Sequence, residues 1–281
     1  MNRLPTPIPI DLQHYEHYLM PRERDAHKGQ LGHVLVVGGA PGMSGAVRLA
    51  GEAALRVGAG RVSIATHVNH ASTLNLTCPE LMCHGIESLE QFQVLLQRAT
   101  VIAIGPGLGR DAWGRSLLEC SLEITDRPMV FDADALFHLP HIPYTAQAYH
   151  IFTPHPGEAA YLLNQSTENI QKDRRQSLQE LINHYSAVMV LKGQHSLIGE
   201  GQQSYLCHAG NPGMATAGMG DVLTGIIAGL CAQKIPALDA SCLGVLLHAM
   251  AGDRAAQHGE RGMIASDLFP FLRPLVNTLA I

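Results

Sequence analysis

Charge is scarce in this chain. Asp, Glu, Lys and Arg make up 15% of its 281 residues and leave a formal net charge of −5. Without a basic footprint, nucleic acid is excluded as the main partner. Long apolar runs are missing too, none approaching the roughly 18 residues that a membrane helix needs, so no membrane span is expected. The N-terminal string Met1-Asn2-Arg3-Leu4-Pro5-Thr6-Pro7-Ile8-Pro9-Ile10 is too broken by proline to form a signal-peptide core. Six cysteines, at 78, 83, 120, 207, 231 and 242, form no Cys-x-x-Cys pair, so neither a zinc site nor a disulfide framework is indicated. Cys231 and Cys242 fall in apolar helical patterns and read as core thiols. The cytoplasm is the expected compartment. No Ser-, Gly- or charge-rich linker divides the chain, and no repeat or low-complexity tract appears. Residues 1–281 are therefore expected to form one domain with a short N-terminal extension over about 1–20.

What is present is mostly apolar, 46% of residues, arranged as short runs alternating with helical patterns. Strands are expected at Val34–Val37, Val62–Ala65, Val101–Ile104, Met129–Phe131, His150–Phe152 and Val188–Leu191, with a hairpin over Leu197–Ile198 and Ser204–Cys207. Helices are expected at Gly45–Val57, Leu89–Gln97, Ala112–Leu122, Glu158–Leu163, Thr167–His184, Asp221–Ala232, Leu238–His258 and Ser266–Val276. This alternation implies βαβ units: an α/β fold with a doubly wound, mostly parallel sheet between two helical layers.

In such a sheet ligands bind beyond the carboxyl ends of the strands. Five strand ends carry glycine or polar chemistry: Gly38–Ala46, Gly105–Gly109, Asp132-Ala133-Asp134, Thr153–Glu158 and Lys192–Ser196. The most informative stretch is Asn211–Asp221, which runs directly into the apolar pattern Val222–Leu230. Small residues and glycines opening a helix leave N–H donors free for an anion, so Gly218, Met219 and Gly220 are a candidate anion hole. Asp221 beside such a hole is ill suited to ligate phosphate. It suits a base that strips a proton from a hydroxyl about to receive a phosphoryl group. An acidic first helical turn with no chemical role is the plainer alternative.

Other motifs fit poorly. Gly38, Gly42 and Gly45 depart from G-x-G-x-x-G, and the second strand ends without a carboxylate, against a dinucleotide-binding Rossmann unit. Ser44 lies in no G-x-S-x-G elbow. Asp132 could reach a metal or substrate, or serve a turn. Asp134 could cap a short helix or touch ligand. The pairs His14/His17, His67/His70 and His138/His141 read as solvated rather than metal-bound. The spacing Gly225-x-x-x-Gly229 suggests close packing of the Asp221 helix.

Several segments together resemble the ADP-dependent NAD(P)H-hydrate dehydratase family, whose fold is ribokinase-like. They are His27-Lys28-Gly29-x-x-Gly32-His33-Val34-Leu35-Val36-Val37-Gly38-Gly39, Gly42-Met43-x-Gly45-Ala46, Gly105-Pro106-Gly107-Leu108-Gly109, Asp132-Ala133-Asp134-Ala135-Leu136, Thr153-Pro154-His155-Pro156-Gly157-Glu158, Leu191-Lys192-Gly193, Gly218-Met219-Gly220-Asp221 and Arg261-Gly262-Met263-x-Ala265-x-Asp267-Leu268. The resemblance covers the chain from about residue 20 onward.

It implies dehydration of the S form of hydrated NADH or NADPH, coupled to hydrolysis of ADP to AMP and phosphate. Ala46, Gly107, His155 and Asp221 then match the positions that hold the hydrated dinucleotide, with Asp221 as the catalytic base. Lys192, Gly193, Gln194, His195, Ser196 and Gly220 match those for the adenosine nucleotide. Glu158 matches a residue that acts on Mg²⁺ through water, and a helix start at Pro156-Gly157-Glu158 is compatible with that role. Many bacterial relatives carry an epimerase domain ahead of this one. The sequence given has none, so a stand-alone dehydratase working with a separate NAD(P)H-hydrate epimerase is expected, as a homo-oligomer, which family resemblance makes a tetramer. The alternatives are a vitamin kinase of the same fold, of the hydroxyethylthiazole kinase type, and a non-catalytic nucleotide sensor.

Overall fold

The computed structural model describes residues 4–277. Its strands are β1 (Ile8–Pro9), β2 (His33–Val37), β3 (Arg61–Thr66), β4 (Met82–Gly85), β5 (Val101–Ile104), β6 (Met129–Phe131), β7 (His150–Phe152), β8 (Val188–Leu191), β9 (Leu197–Glu200) and β10 (Gln203–Leu206). All ten join one sheet in the order β1-β10-β9-β8-β7-β6-β5-β2-β3-β4. From β4 across to β8 every pairing is parallel. Only β9 is reversed: it runs antiparallel to β8 on one side and to its hairpin partner β10 on the other, and β1 pairs parallel with β10.

The reading of continuous apolar runs as buried strands has a direct physical basis in β2. Val34 and Val36 enter one core, while Leu35 and Val37 enter the other. A parallel sheet covered on both faces needs apolar side chains at every position. The helices Ser44–Arg56, Met219–Ala232, Ala237–Ala255 and Phe269–Leu275 cover one face. Leu89–Arg98, Ala112–Leu122, Pro156–Leu162 and Arg174–Tyr185 cover the other. The result is the expected three-layer α/β architecture.

The Met219–Ala232 helix is apolar apart from Asp221 and Thr224, and it lies directly against Ser44–Arg56. A Cβ at Gly225 would meet the Ala50 carbonyl oxygen at 2.0 Å, and one at Gly229 would meet Val57 at 2.6 Å. The glycine pair thus brings two helix backbones together, as the spacing suggested. Cys231 and Cys242 are buried thiols in this layer.

Several boundaries differ from the sequence pattern. The run Thr167–His184 breaks into Thr167–Lys172 and Arg174–Tyr185, because Asp173 leaves the helical region and its carboxylate caps Gln176 N–H at 3.0 Å. The catalytic-candidate helix begins at Met219, two residues before Asp221. Leu238–His258 is an α-helix to Ala255 closed by a 3-10 turn, and Ser266–Val276 opens as the 3-10 turn Ala265–Leu268. The segment read as an extension packs instead: Leu4, Tyr15 and Leu19 are buried, and β1 pairs with β10.

Candidate active site

Because β2 through β8 run parallel, their carboxyl ends share one edge of the sheet. There the loop after β2 bonds to the loop after β5. Gly39 N–H donates to Pro106 O at 3.1 Å and Ala40 N–H to Gly107 O at 2.7 Å. Gly107 has φ of +55°, and a Cβ on it would lie 2.8 Å from Met43 Cβ and 3.3 Å from Ala46 Cβ. Ala46 and Gly107 therefore form one small-residue floor, where backbone can approach a ligand.

At the centre of the edge lies Asp132, whose residue is 1% exposed. Its Oδ1 accepts from Lys192 Nζ at 2.6 Å and from Thr153 Oγ1 at 2.8 Å. Its Oδ2 accepts from Thr224 Oγ1 at 2.8 Å. Three side chains thus converge on this one carboxylate, and the Asp132 carbonyl also accepts the turn bond from Ala135 N–H at 3.1 Å. The carboxylate is the anchor of Lys192. Burial works against the Lys192 ammonium, but Asp132, Glu158 and Asp221 outweigh it and raise the lysine's pKa. Thr224 was missed in the sequence. Its signal was a hydroxyl in an otherwise apolar helix, one turn after Asp221.

Gly218, with φ of +90°, is the N-cap of the Met219–Ala232 helix, and no side chain caps that terminus. Gly220 and Asp221 N–H groups have no backbone partner among the described residues. The first turn therefore presents free donors and the positive end of the helix dipole. A Cβ at Gly220 would stand 3.3 Å from Lys192 Nζ, which places ammonium and helix terminus side by side. Asp221 lies in this first turn. Its carboxyl is pushed up to about 7, first by burial and then by the charge of Asp132; Lys192 opposes the rise, and Glu158 and Asp134 add to it. A carboxylate poised there can accept a proton near neutral pH.

His155 and Glu158 form a reciprocal cap on the Pro156–Leu162 helix. His155 Nδ1 accepts from Gly157 N–H at 3.0 Å and Glu158 N–H at 3.2 Å, while Glu158 Oε2 accepts from His155 N–H at 2.7 Å. With Nδ1 an acceptor, the ring proton sits on Nε2, 3.4 Å from Glu158 Oε1. Lys192 Nζ lies 3.6 Å from Glu158 Oε2. Burial raises the Glu158 pKa, Lys192 opposes it, and Asp132 reinforces it. No group of three or more His, Cys, Asp or Glu is arranged to hold a metal among the described residues. The donors fit Mg²⁺ only as a hydrated ion held through water and phosphate oxygens, the usual mode for that ion.

The loop Lys192–Ser196 is held from behind by Arg174, which sequence reading did not single out. Its guanidinium donates to the carbonyls of Leu191 at 3.0 Å, Lys192 at 3.1 Å and His195 at 3.3 Å, and also to that of Gln194. Ser196 Oγ closes the loop onto Gly193 O at 3.0 Å, and His195 adopts φ of +54°. Asp134 departs from its helix-cap alternative: Ala133 is the N-cap, and the Asp134 carboxylate accepts from Gly109 N–H at 3.0 Å and Arg110 Nε at 3.0 Å. His138 is likewise not solvated. It is buried with Nε2 3.0 Å from Gly109 O.

No helix among the described residues is long and apolar enough to cross a membrane. The chain is 54% identical over 258 residues to the bifunctional NAD(P)H-hydrate repair enzyme of Coxiella burnetii, covering 91% of this chain and 52% of that protein. It spans about half the length of the first curated relatives it matches. It is 37% identical over 274 residues to the ADP-dependent (S)-NAD(P)H-hydrate dehydratase of Neisseria meningitidis, covering 94% and 92% of the two chains. Among solved structures, the ADP/ATP-dependent NAD(P)H-hydrate dehydratase from Bacillus subtilis, co-crystallised with ATP/Mg²⁺, superposes with a TM-score of 0.84 at 28% identity, covering 98% and 99%. The family match runs over residues 34–273, from β2 to the last helix, and takes in every loop of the charged edge. On that span the chain belongs to the NAD(P)H-hydrate dehydratase family.

Proposed function

We propose that this chain dehydrates the S form of hydrated NADH or NADPH at the expense of ADP, restoring the cofactor and releasing AMP and phosphate. The observation that carries this reading is Asp221: a carboxyl pushed up to about 7, at an uncapped helix N-terminus beside the Lys192–Asp132 pair. Hydroxide on the hydrated ring leaves poorly. Asp221 takes the proton of that hydroxyl as its oxygen forms a bond to the terminal phosphorus of ADP, and the bond from phosphorus to AMP breaks. The N–H groups of Gly218–Asp221 and the Lys192 ammonium hold the charge of the migrating group. The ring nitrogen's lone pair then expels phosphate, and loss of a ring proton restores the dihydronicotinamide. Mg²⁺, when bound, neutralises phosphate charge, with Glu158 reaching it through water.

In this reading Ala46, Gly107 and His155 seat the hydrated dinucleotide, while Lys192, Gly193, Gln194, His195, Ser196 and Gly220 seat the adenosine nucleotide. The Arg174 clamp supports the second assignment, since it fixes the loop's shape before any ligand arrives. The same proposal includes a cytoplasmic homo-oligomer, a tetramer by family resemblance, acting after an epimerase that interconverts the two hydrate forms. The test is direct. The protein is incubated with hydrated NADH, Mg²⁺ and either ADP or ATP, and NADH absorbance is followed. Recovery of absorbance only with nucleotide supports the dehydratase. Absence of recovery, with transfer of phosphate to a vitamin alcohol instead, overturns it in favour of a kinase.

A further inference from the structure

Past Gly109 the rim of the site carries a cation seated on aromatic rings. Arg110 Nε donates to Asp134 Oδ1 at 3.0 Å, and its guanidinium carbon lies 4.4 Å above the centre of the Phe137 ring. Phe137 stacks in turn on Tyr161, with ring centres 5.1 Å apart and planes 16° from parallel. The Tyr161 hydroxyl is fixed by His141 Nε2 at 2.7 Å. The Arg110 side chain is 63% exposed, and its two terminal nitrogens have no hydrogen-bond partner among the described residues. The ion pair alone does not account for this arrangement, because an exposed pair of this kind contributes little to stability. Asp134 is already satisfied on its other oxygen by Gly109 N–H.

Position adds meaning to the platform. Arg110 follows Gly107 by three residues, and Tyr161 stands six residues, roughly 9 Å, along the helix that His155 opens. Asp134 is near enough to Asp221 for its charge to act on that carboxyl. On the assignment proposed above, the platform adjoins Gly107 and the helix of His155, the residues that seat the hydrated dinucleotide. The surroundings are rich in carboxylates, Asp132, Asp134, Glu158 and Asp221, and would repel an anionic ligand wherever no cation stands. A guanidinium with a free edge matches a phosphate dianion in a two-point grip, and its open face suits a purine.

We propose that Arg110, braced on Phe137 and Tyr161, receives the 2′-phosphate at the adenosine end of the hydrated dinucleotide, and so makes hydrated NADPH the better substrate. This rests on the activity proposed above. The experiment compares wild type, Arg110→Ala and Arg110→Lys in two readouts. One is kcat and KM for hydrated NADPH and hydrated NADH at saturating ADP. The other, which needs no turnover, is binding of NADPH and NADH followed by nicotinamide fluorescence. Loss of a charge-assisted grip should raise KM and Kd for the 2′-phosphorylated ligands about tenfold or more, with kcat nearly constant. The change for the unphosphorylated ligands should be several-fold smaller, and Arg110→Lys should fall between. Equal losses for both ligand pairs, no loss for either, or a wild type without preference each overturn the inference. If wild type turns over neither hydrate, the proposed activity fails, and the fluorescence comparison still decides whether Arg110 reads the 2′-phosphate.

Discussion

Asp221→Asn tests both the chemistry and the electrostatics of the site. The amide keeps the shape of the side chain but cannot take the hydroxyl proton. General-base catalysis is typically worth about 10²–10⁴-fold, so single-turnover conversion of hydrated NADH should fall at least about a hundredfold. The stability effect has the opposite sign. In the folded chain the carboxyl is raised from 3.8 to about 7, so burying it as an anion is unfavourable. Below 3.8 it is neutral in both folded and unfolded chains, and nothing is lost. As pH rises toward 7 the unfolded chain ionises first, stability declines, and the full loss is present above about 7. At about 1.4 kcal/mol per pH unit this amounts to at most about 4 kcal/mol, of which about 2–3 kcal/mol accrues between pH 5 and pH 8. Asp221→Asn removes that loss. Urea unfolding at the two pH values should show the variant more stable than wild type, with a wider margin at pH 8. Wild-type turnover should decline as pH falls through about 7, while the residual rate of the variant should lack this limb. A variant that keeps more than a tenth of the wild-type rate, or a stability margin independent of pH, would refute the assignment of Asp221 as a buried base.

The parts of this site that were legible in the sequence are those whose chemistry is local. The buried parallel strands β5, β6 and β8 read as unbroken apolar runs, and the turn after each is glycine-bearing or polar. Gly218-Met219-Gly220-Asp221 carries its own meaning, because glycine at an uncapped helix start exposes donors whatever lies around it. What was illegible depends on chain crossing. Asp132 becomes the anchor of Lys192 only when Thr153, Lys192 and Thr224, from three separate elements, converge on one carboxylate. Arg174 looks like one surface arginine of the pair Arg174-Arg175, yet it reaches carbonyls 17 to 21 residues onward. β4, Met-Cys-His-Gly, lacks the β-branched residues that mark a strand and forms because β3 offers it an edge. The break at Asp173 was hidden because Lys172-Asp173-Arg174 holds no glycine or proline to mark it; there the Asp173 backbone leaves helical geometry and its carboxylate caps the next helix.

Three further perturbations separate the roles proposed for the charged edge. Glu158→Gln keeps an oxygen to accept from His155 N–H, so the fold should persist while the Mg²⁺ concentration for half-maximal rate rises; an unchanged magnesium titration would leave Glu158 as a helix cap only. Lys192→Met strands the buried Asp132 carboxylate without its cation and should cost about 3–5 kcal/mol in urea unfolding, with ADP binding weakened far more than hydrate binding in calorimetry. Equal losses for the two ligands would detach Lys192 from the nucleotide. Arg174→Met acts at one remove from any ligand. The guanidinium bonds the carbonyls of Leu191, Lys192, Gln194 and His195 in a planar fork, and these bonds hold the loop in the shape proposed to seat the nucleotide. Bonds to a charged donor are worth about 1.5–3 kcal/mol each, so loss of even one net bond should weaken ADP more than about tenfold while the KM for hydrate changes little. Arg174→Lys should fail to restore ADP affinity, because a single ammonium cannot span four carbonyls set around a fork. Calorimetry with ADP on both variants decides it: if either binds ADP as wild type does, the loop holds its shape without the guanidinium, and Arg174 is a surface arginine after all.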